Sequence, residues 1–100
     1  MVKVGLLVRL VAKPGKEQTV ADFLAGALPL AQAEAETVTW FALRISSNEF
    51  AIFDAFPGDS GRKAHLNGPI AAALMANAAE LLSEPPKIES VDVLASKMPG

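Results

Sequence analysis

Cysteine is absent from this chain of 100 residues, which excludes disulfide bonds, thiolate nucleophiles and cysteine-bound metal ions. A lack of cysteine is common in cytoplasmic proteins, and we expect a cytoplasmic protein. Apolar runs of the roughly 20 residues that a membrane-spanning helix needs are also absent. The longest candidate, VGLLVRLVA, is short and contains Arg9, so we predict a strand there and no membrane association.

A basic patch is missing as well. The chain carries 9 Lys and Arg residues against 11 Asp and Glu residues, for a net charge of −2, and both signs are mixed along its length. Nucleic-acid binding is therefore not expected. Since the sequence has one histidine and no set of carboxylates spaced to converge on it, we predict no metal site.

Hydrophobic residues are abundant. They make up 51% of the chain, charged residues only 20%, and the mean hydropathy is +0.31. One hundred residues suit a single domain, residues 1–100, whose small core cannot bury so many apolar side chains. We therefore expect both a sheet face buried between subunits and an internal apolar pocket.

Two strand patterns surround a helical one in the first half of the chain. Residues 2–12 alternate with one wholly apolar face, and KPG at 13–15 ends that strand. Residues 16–33 carry one continuous apolar stripe at helical spacing, with a kink or an irregular end expected at Pro29. Residues 37–46 return to strand character.

Residues 49–56 form the next strand, and the short SSN segment before them predicts an antiparallel hairpin. Alternation puts five chemically interesting side chains on matching faces of this hairpin. They are Trp40 and Arg44 on the first strand, and Phe50, Asp54 and Phe56 on the second.

The second half of the chain repeats the pattern of helix and strand. PGDSG predicts a break, with Asp59 or Ser60 as the N-cap of a short helix over residues 60–66. Asn67 or Gly68 can cap a second helix that has Pro69 at its first position. Residues 88–97 form the last strand.

The order β-α-β-β-α-β predicts an α+β, ferredoxin-like domain, with an antiparallel sheet covered by helices on one side. The other face of the sheet is left bare, and it carries either the set Thr39, Phe41, Leu43 and Ile45 or the set that contains Trp40. A second copy of the chain is its expected cover.

Four segments of the sequence, AKPGKE (12–17), AEAETVTWFALR (33–44), FAIFDAF (50–56) and AHLNGP (64–69), together resemble the antibiotic biosynthesis monooxygenase domain family. The resemblance covers nearly the whole chain. It implies a homodimeric α/β barrel in which each subunit keeps a pocket between its sheet and its helices. Relatives with known activity oxygenate aromatic polyketides or quinols without a cofactor, or degrade haem; others are isomerases, decarboxylases or proteins of no known activity.

Some positions depart from the family pattern. EAET replaces the usual acidic-Pro-Gly turn, and Phe56 replaces a Trp. Haem-degrading members need an Asn, a Trp and a second-helix His; Val8 and Phe56 stand at the first two positions, and the third has no counterpart. The resemblance therefore implies a cofactor-independent monooxygenase that acts on a small aromatic or quinol-like substrate in an apolar pocket between sheet and helices. The alternative is a non-catalytic dimeric barrel that binds such a ligand.

His65 is the candidate proton acceptor, because imidazole titrates near neutral pH. The alternative is a structural histidine that hydrogen-bonds backbone where two helices meet. Trp40, Phe50 and Phe56 are candidates for a substrate-stacking wall, or for ordinary core.

Arg44 and Asp54 lie on the same faces as those aromatic residues, and a charge on an apolar face needs a partner. We expect the two to pair across the strands, or else to orient the substrate together. Asn77, on the inner stripe of the second helix, is a candidate for binding ligand, backbone or water.

Overall fold

A computed structural model gives the fold and describes residues 1–99. Its elements are β1 (Val4–Val11), α1 (Glu17–Gly26), α2 (Leu28–Gln32), β2 (Thr39–Arg44), β3 (Glu49–Phe56), α3 (Asp59–Leu66), α4 (Pro69–Leu81) and β4 (Lys87–Asp92). The predicted α+β, ferredoxin-like fold is confirmed.

The four strands form one sheet in the order β2-β3-β1-β4, and every neighbouring pair is antiparallel. The turn at residues 46–48 sets the register of the β2–β3 hairpin. As a result Trp40 lies opposite Asp54, and Arg44 lies opposite Phe50.

The helices cover one face of this sheet. The side chains that β1 and β3 direct toward the helices are almost fully buried, among them Leu6, Leu10, Phe50 and Phe56, each 2% exposed or less. Helices α1 and α4 contribute Val20, Leu24, Leu74 and Leu81 to the same core. A smaller cluster forms where Ala27, Ala31 and Ile70 pack, and Trp40 contacts both clusters.

The other face of the sheet carries no helix among the described residues. Phe41, Leu43 and Ile45 along β2 and its end are 53%, 45% and 49% exposed. Part of this face is spanned by residues 95–99, which run toward β2, where Thr39 Oγ1 lies 3.5 Å from the Met98 sulfur.

Several boundaries differ from the predictions. The predicted helix over 16–33 is interrupted at Ala27, next to the kink expected at Pro29. Helix α2 begins at Leu28 with Pro29 in its first turn, where a missing N–H is harmless. The N-cap of α3 is Gly58, not Asp59 or Ser60; Asp59 instead pairs with Arg62 from the first turn. Gly68 is the N-cap of α4, with Pro69 first in the helix as expected.

The strands at the sheet edges are shorter than predicted. β2 and β4 have 6 residues each, whereas alternation continued well beyond them, because pairing with β3 and β1 ends first. None of the helices within residues 1–99 is long and apolar enough to cross a membrane.

Candidate active site

A group of three charged side chains, of which two are buried and Glu34 is partly exposed, lies beneath the helices. His65 Nδ1 is 2.6 Å from Glu34 Oε1, and His65 Nε2 is 3.0 Å from Asp54 Oδ2. Asp54 is completely buried and His65 is 7% exposed. We call Glu34, His65 and Asp54 the buried triad.

Three separate elements supply the triad. Asp54 belongs to β3 and faces the helices, since it alternates with Phe53 and Ala55, which lie on the open face. His65 is in the last turn of α3, and its ring packs against that of Phe56 at a centroid distance of 5.5 Å. Helix α3 therefore brings the imidazole directly over the strand that carries the aspartate.

Glu34 comes from the turn between α2 and β2, and local contacts fix its carboxylate. Thr37 Oγ1 donates a hydrogen bond of 2.8 Å to Glu34 Oε1, the oxygen that also accepts from His65. Gly68 makes room for the other oxygen, because a Cβ atom at that position would lie 3.0 Å from Glu34 Oε2. The start of α4 is thus shaped around the glutamate.

The triad holds His65 in its charged form. Burial alone lowers the pKa of His65, but its close contacts with the carboxylates of Asp54 and Glu34 outweigh burial and raise the pKa from 6.5 to about 9. At neutral pH the imidazole therefore carries a proton on each nitrogen. Each nitrogen lies close to a carboxylate, so His65 is a poor proton acceptor at that pH.

Some polar atoms around the triad remain unsatisfied. Among residues 1–99, Glu34 Oε2, Trp40 Nε1 and both Asp54 oxygens are buried and have no aligned hydrogen-bond partner. The 3.0 Å contact of Asp54 with His65 is thus an ion pair rather than a well-directed hydrogen bond. Such atoms are rare in folded proteins and mark places where a water or a ligand is bound.

Two of the predicted pairings do not form. The expected Arg44–Asp54 pair is wrong, because the hairpin register puts Arg44 opposite Phe50 and Asp54 opposite Trp40. Arg44 is exposed, and its guanidinium lies 5.0 Å from the centroid of the Phe50 ring. His65 is bound by two carboxylates and not by backbone, which corrects the structural alternative given for it.

The structure brings His65, Asp54, Trp40 and Phe56 to one region and leaves Phe50 and Asn77 in another. Phe50 and Asp54 share one face of β3 with Ile52 between them, and Phe50 lies within the main core cluster. Asn77 Nδ2 donates to the carbonyl oxygen of Ala73, one turn earlier in α4. The side chain of Asn77 is thus occupied by its own helix.

The residue that sequence reasoning missed is Glu34. Glu34 lies outside every apolar stripe, in the segment EAET (34–37). One signal was available: a buried aspartate on an apolar strand face needs a cation, and the hairpin register excludes Arg44. His65 was then the remaining candidate, but the second carboxylate comes from a turn whose path the sequence pattern does not predict.

Cavities near the triad are small. A cavity of about 190 Å³ borders Glu34, His65 and Gly68, and another of about 280 Å³ lies between α1, α2 and α4. The cavity that includes Asn77, between the sheet and helices α1 and α4, measures about 10 Å³, room for at most one water. The expected apolar pocket is therefore closed at that position.

The largest cavity lies elsewhere. It measures about 630 Å³ and is bounded by residues 95–99 and the open face of the sheet, including Phe41 and Phe53. This volume falls within the range of small-molecule sites. Among residues 1–99, no three or more His, Cys, Asp or Glu side chains are grouped so as to hold a metal ion.

Solved structures with the same architecture include one that is also close in sequence. NE2512 from Nitrosomonas europaea, a protein of unknown function, is 62% identical, with a TM-score of 0.98 over 100% of this chain and 97% of its own. Rv0793 from Mycobacterium tuberculosis is 16% identical, with a TM-score of 0.83 over 96% and 99% of the two chains.

A structure named antibiotic biosynthesis monooxygenase is 10% identical, with a TM-score of 0.79 over 92% of this chain and 99% of its own. At 10% and 16% identity the likeness concerns the fold alone. The chain matches no protein-family model and no curated protein.

Proposed function

We propose that this protein is a cofactor-independent monooxygenase for a small phenol or quinol. The chain belongs to the same family as NE2512 of Nitrosomonas europaea, whose function is unknown, so the proposal is argued from the site. The observation that carries the proposal is the buried triad, in which an imidazolium lies between two carboxylates in an apolar domain. The shared fold with a structure named antibiotic biosynthesis monooxygenase supports the reaction class by analogy.

The proton acceptor in this proposal is Asp54. His65 is already protonated at neutral pH, since its pKa is about 9, whereas Asp54 has an oxygen without an aligned partner among the described residues. A carboxylate oxygen of this kind can receive a proton from a bound substrate, as a general base does.

The reaction balances without a cofactor. The substrate O–H or acidic C–H bond breaks, its proton passes to Asp54, and the resulting anion gives two electrons to O2 as a new C–O bond forms. Asp54 then returns its proton to the peroxide anion, and loss of water from the resulting hydroperoxide leaves a carbonyl. One phenol, quinol or anthrone and one O2 thus give one oxygenated product and one water. His65, held charged, stabilises the anion electrostatically.

Oxygen uptake with a panel of hydroquinols and anthrones tests this function. We expect uptake above the buffer rate, lowered by two to four orders of magnitude in Asp54→Asn, the usual range for a lost general base. Asp92→Asn, an equal charge change on an exposed residue of β4, is the matched control and should retain the wild-type rate. Wild-type protein that gives no uptake with any member of the panel would overturn the proposal.

The second part of the proposal is a homodimer built on the open face of the sheet. Phe41, Leu43 and Ile45 are all about half exposed there, and contiguous apolar surface of this kind favours association. A second copy would also enclose the cavity of about 630 Å³. Light scattering at micromolar concentration should give the mass of two chains; the mass of one chain would contradict it.

A non-catalytic ligand-binding barrel is the second candidate function. It is favoured by the contrast between the cavity of about 630 Å³ on the open face and the cavity of about 10 Å³ between sheet and helices. Trp40 borders the larger cavity, so an apolar ligand should change the fluorescence of this single tryptophan. Binding without oxygen uptake would select this candidate over the oxygenase.

A further inference from the structure

Two buried polar groups on the covered side of the sheet have complementary hydrogen-bonding capacities. Trp40 Nε1–H can only donate a hydrogen bond, and the Asp54 carboxylate can only accept one. Both are buried, and neither has an aligned partner among residues 1–99.

The two groups belong to opposite positions of one hairpin. Trp40 and Asp54 pair across β2 and β3, where the Cβ atoms of directly opposite residues are about 5 Å apart. Even so, the indole N–H does not bond to the carboxylate. Asp54 Oδ2 faces His65 at 3.0 Å, which leaves Oδ1 for another partner.

We propose that Trp40 and Asp54 form a binding site for one hydroxyl group, which accepts from Trp40 Nε1–H and donates to Asp54 Oδ1. A hydroxyl does both at a single atom, whereas a carbonyl only accepts and an ammonium only donates. The hydroxyl comes from a buried water or from a phenolic ligand. The ligand source rests on the proposed function, and the water source does not.

The surroundings of Trp40 fit a ligand with one ring. Ala27 and Ile70 pack against Trp40 and also border the cavity of about 280 Å³ between α1, α2 and α4. That volume is just below the usual range for drug-sized ligands. Trp40 and Asp54 do not line this cavity themselves, so a phenol reaches the indole from it only where Ala27 and Ile70 move apart.

The chain offers a simple measurement, because it has one tryptophan and one histidine. The indole N–H gives a single signal in a nitrogen-15 correlation spectrum. Without ligand, a buried water at the site produces cross-relaxation between this proton and water. Phenol should shift the signal in a saturable way, while toluene, which has the same ring but no hydroxyl, should not shift it.

Two variants test the two partners. Trp40→Phe removes the N–H and keeps an aromatic ring; phenol affinity, followed on the ring signals of His65, should fall at least tenfold. Asp54→Asn should reduce the phenol-induced shift of the indole signal by a similar factor, and the exposed Asp92→Asn should leave it unchanged. If Asp54→Asn does not fold, Trp40→Phe alone decides the matter.

Each outcome has a defined meaning. A shift specific to phenol supports a ligand hydroxyl, and cross-relaxation with water alone supports a buried water. An indole proton with neither property, whose signal responds only to Asp54→Asn, is bonded directly to the aspartate and overturns the proposal. Absent oxygen uptake with an intact phenol shift would remove the oxygenase and keep the hydroxyl site. Uptake with an indole signal that neither moves with phenol nor shows cross-relaxation with water would do the reverse.

Discussion

The two faces of the sheet differ strongly in how far their side chains are exposed. On the covered face, Leu6, Leu10 and Phe50 are at most 2% exposed, and even the charge of Asp54 is matched by His65. On the open face, Phe41 and Leu43 are 53% and 45% exposed. Side chains alternate between the two faces along each strand, as Trp40 and Phe41 do on β2.

The covered face is completed by contacts within one chain, whereas the open face has apolar surface that a second chain could cover. The covered face contains its charged groups within the chain and stays fixed by close packing. The open face offers apolar area for which the chain itself has little cover, and a monomer seldom exposes such a patch without a use. Chemistry is therefore assigned to the first face and association to the second.

The largest effect on stability is expected when a phenylalanine of the covered face is replaced, compared with a phenylalanine of the open face. Phe50→Ala should lower the free energy of unfolding by about 3–5 kcal/mol, the usual cost of a cavity in a packed core. Phe41→Ala should lower it by less than about 1 kcal/mol in dilute, monomeric protein, because the side chain is half exposed. Urea unfolding followed by circular dichroism measures both.

The destabilisation caused by each substitution should also depend differently on protein concentration. If the open face binds a second copy, the cost of Phe41→Ala should increase with concentration, since association stabilises only the folded chain. The cost of Phe50→Ala should change far less. Equal costs for both substitutions in the monomer would mean that the open face is buried by the chain's own residues 95–99.

The contrast between the faces was largely predictable from sequence, since alternation along residues 37–46 and 49–56 assigns each side chain to a face. The hairpin register also follows from the short turn, and applying it strictly excludes the Arg44–Asp54 pair. The triad was not predictable in full, because Glu34 reaches His65 from a turn. Its position depends on how α2 and α4 pack, which local patterns do not contain.

A smaller effect is expected at Gly5 on β1. A Cβ atom there would lie 2.6 Å from the backbone oxygen of Asp54 and 3.3 Å from atoms of Phe53 and Val91. Gly5→Ala should therefore cost about 1–3 kcal/mol, as overpacking does. Gly26→Ala is the control: no atom within 4 Å surrounds its added Cβ, and alanine favours the helix. Equal stabilities of the two variants would show that the strands can move apart at Gly5.

The last effect concerns the charge of the covered face. The ring of the single histidine should titrate near pH 9 by NMR, against about 6.5 in urea-unfolded protein. Glu34→Gln should lower the pKa of His65 by about one unit, because it removes one of the two attracting carboxylates while leaving Asp54 in place.

The same shift predicts how stability depends on pH. Since the folded pKa is raised, folding favours the protonated imidazole, and the contribution of His65 is fully present below about pH 6.5. It is lost as the pH rises from 6.5 to about 9, on the order of 2 to 3 kcal/mol in all. Urea unfolding at pH 6 and pH 9 measures this loss, and Glu34→Gln should make it smaller. A ring that titrates near 6.5 in the folded protein would mean that the carboxylates do not hold the charge, and that His65 itself is free to accept a proton at neutral pH.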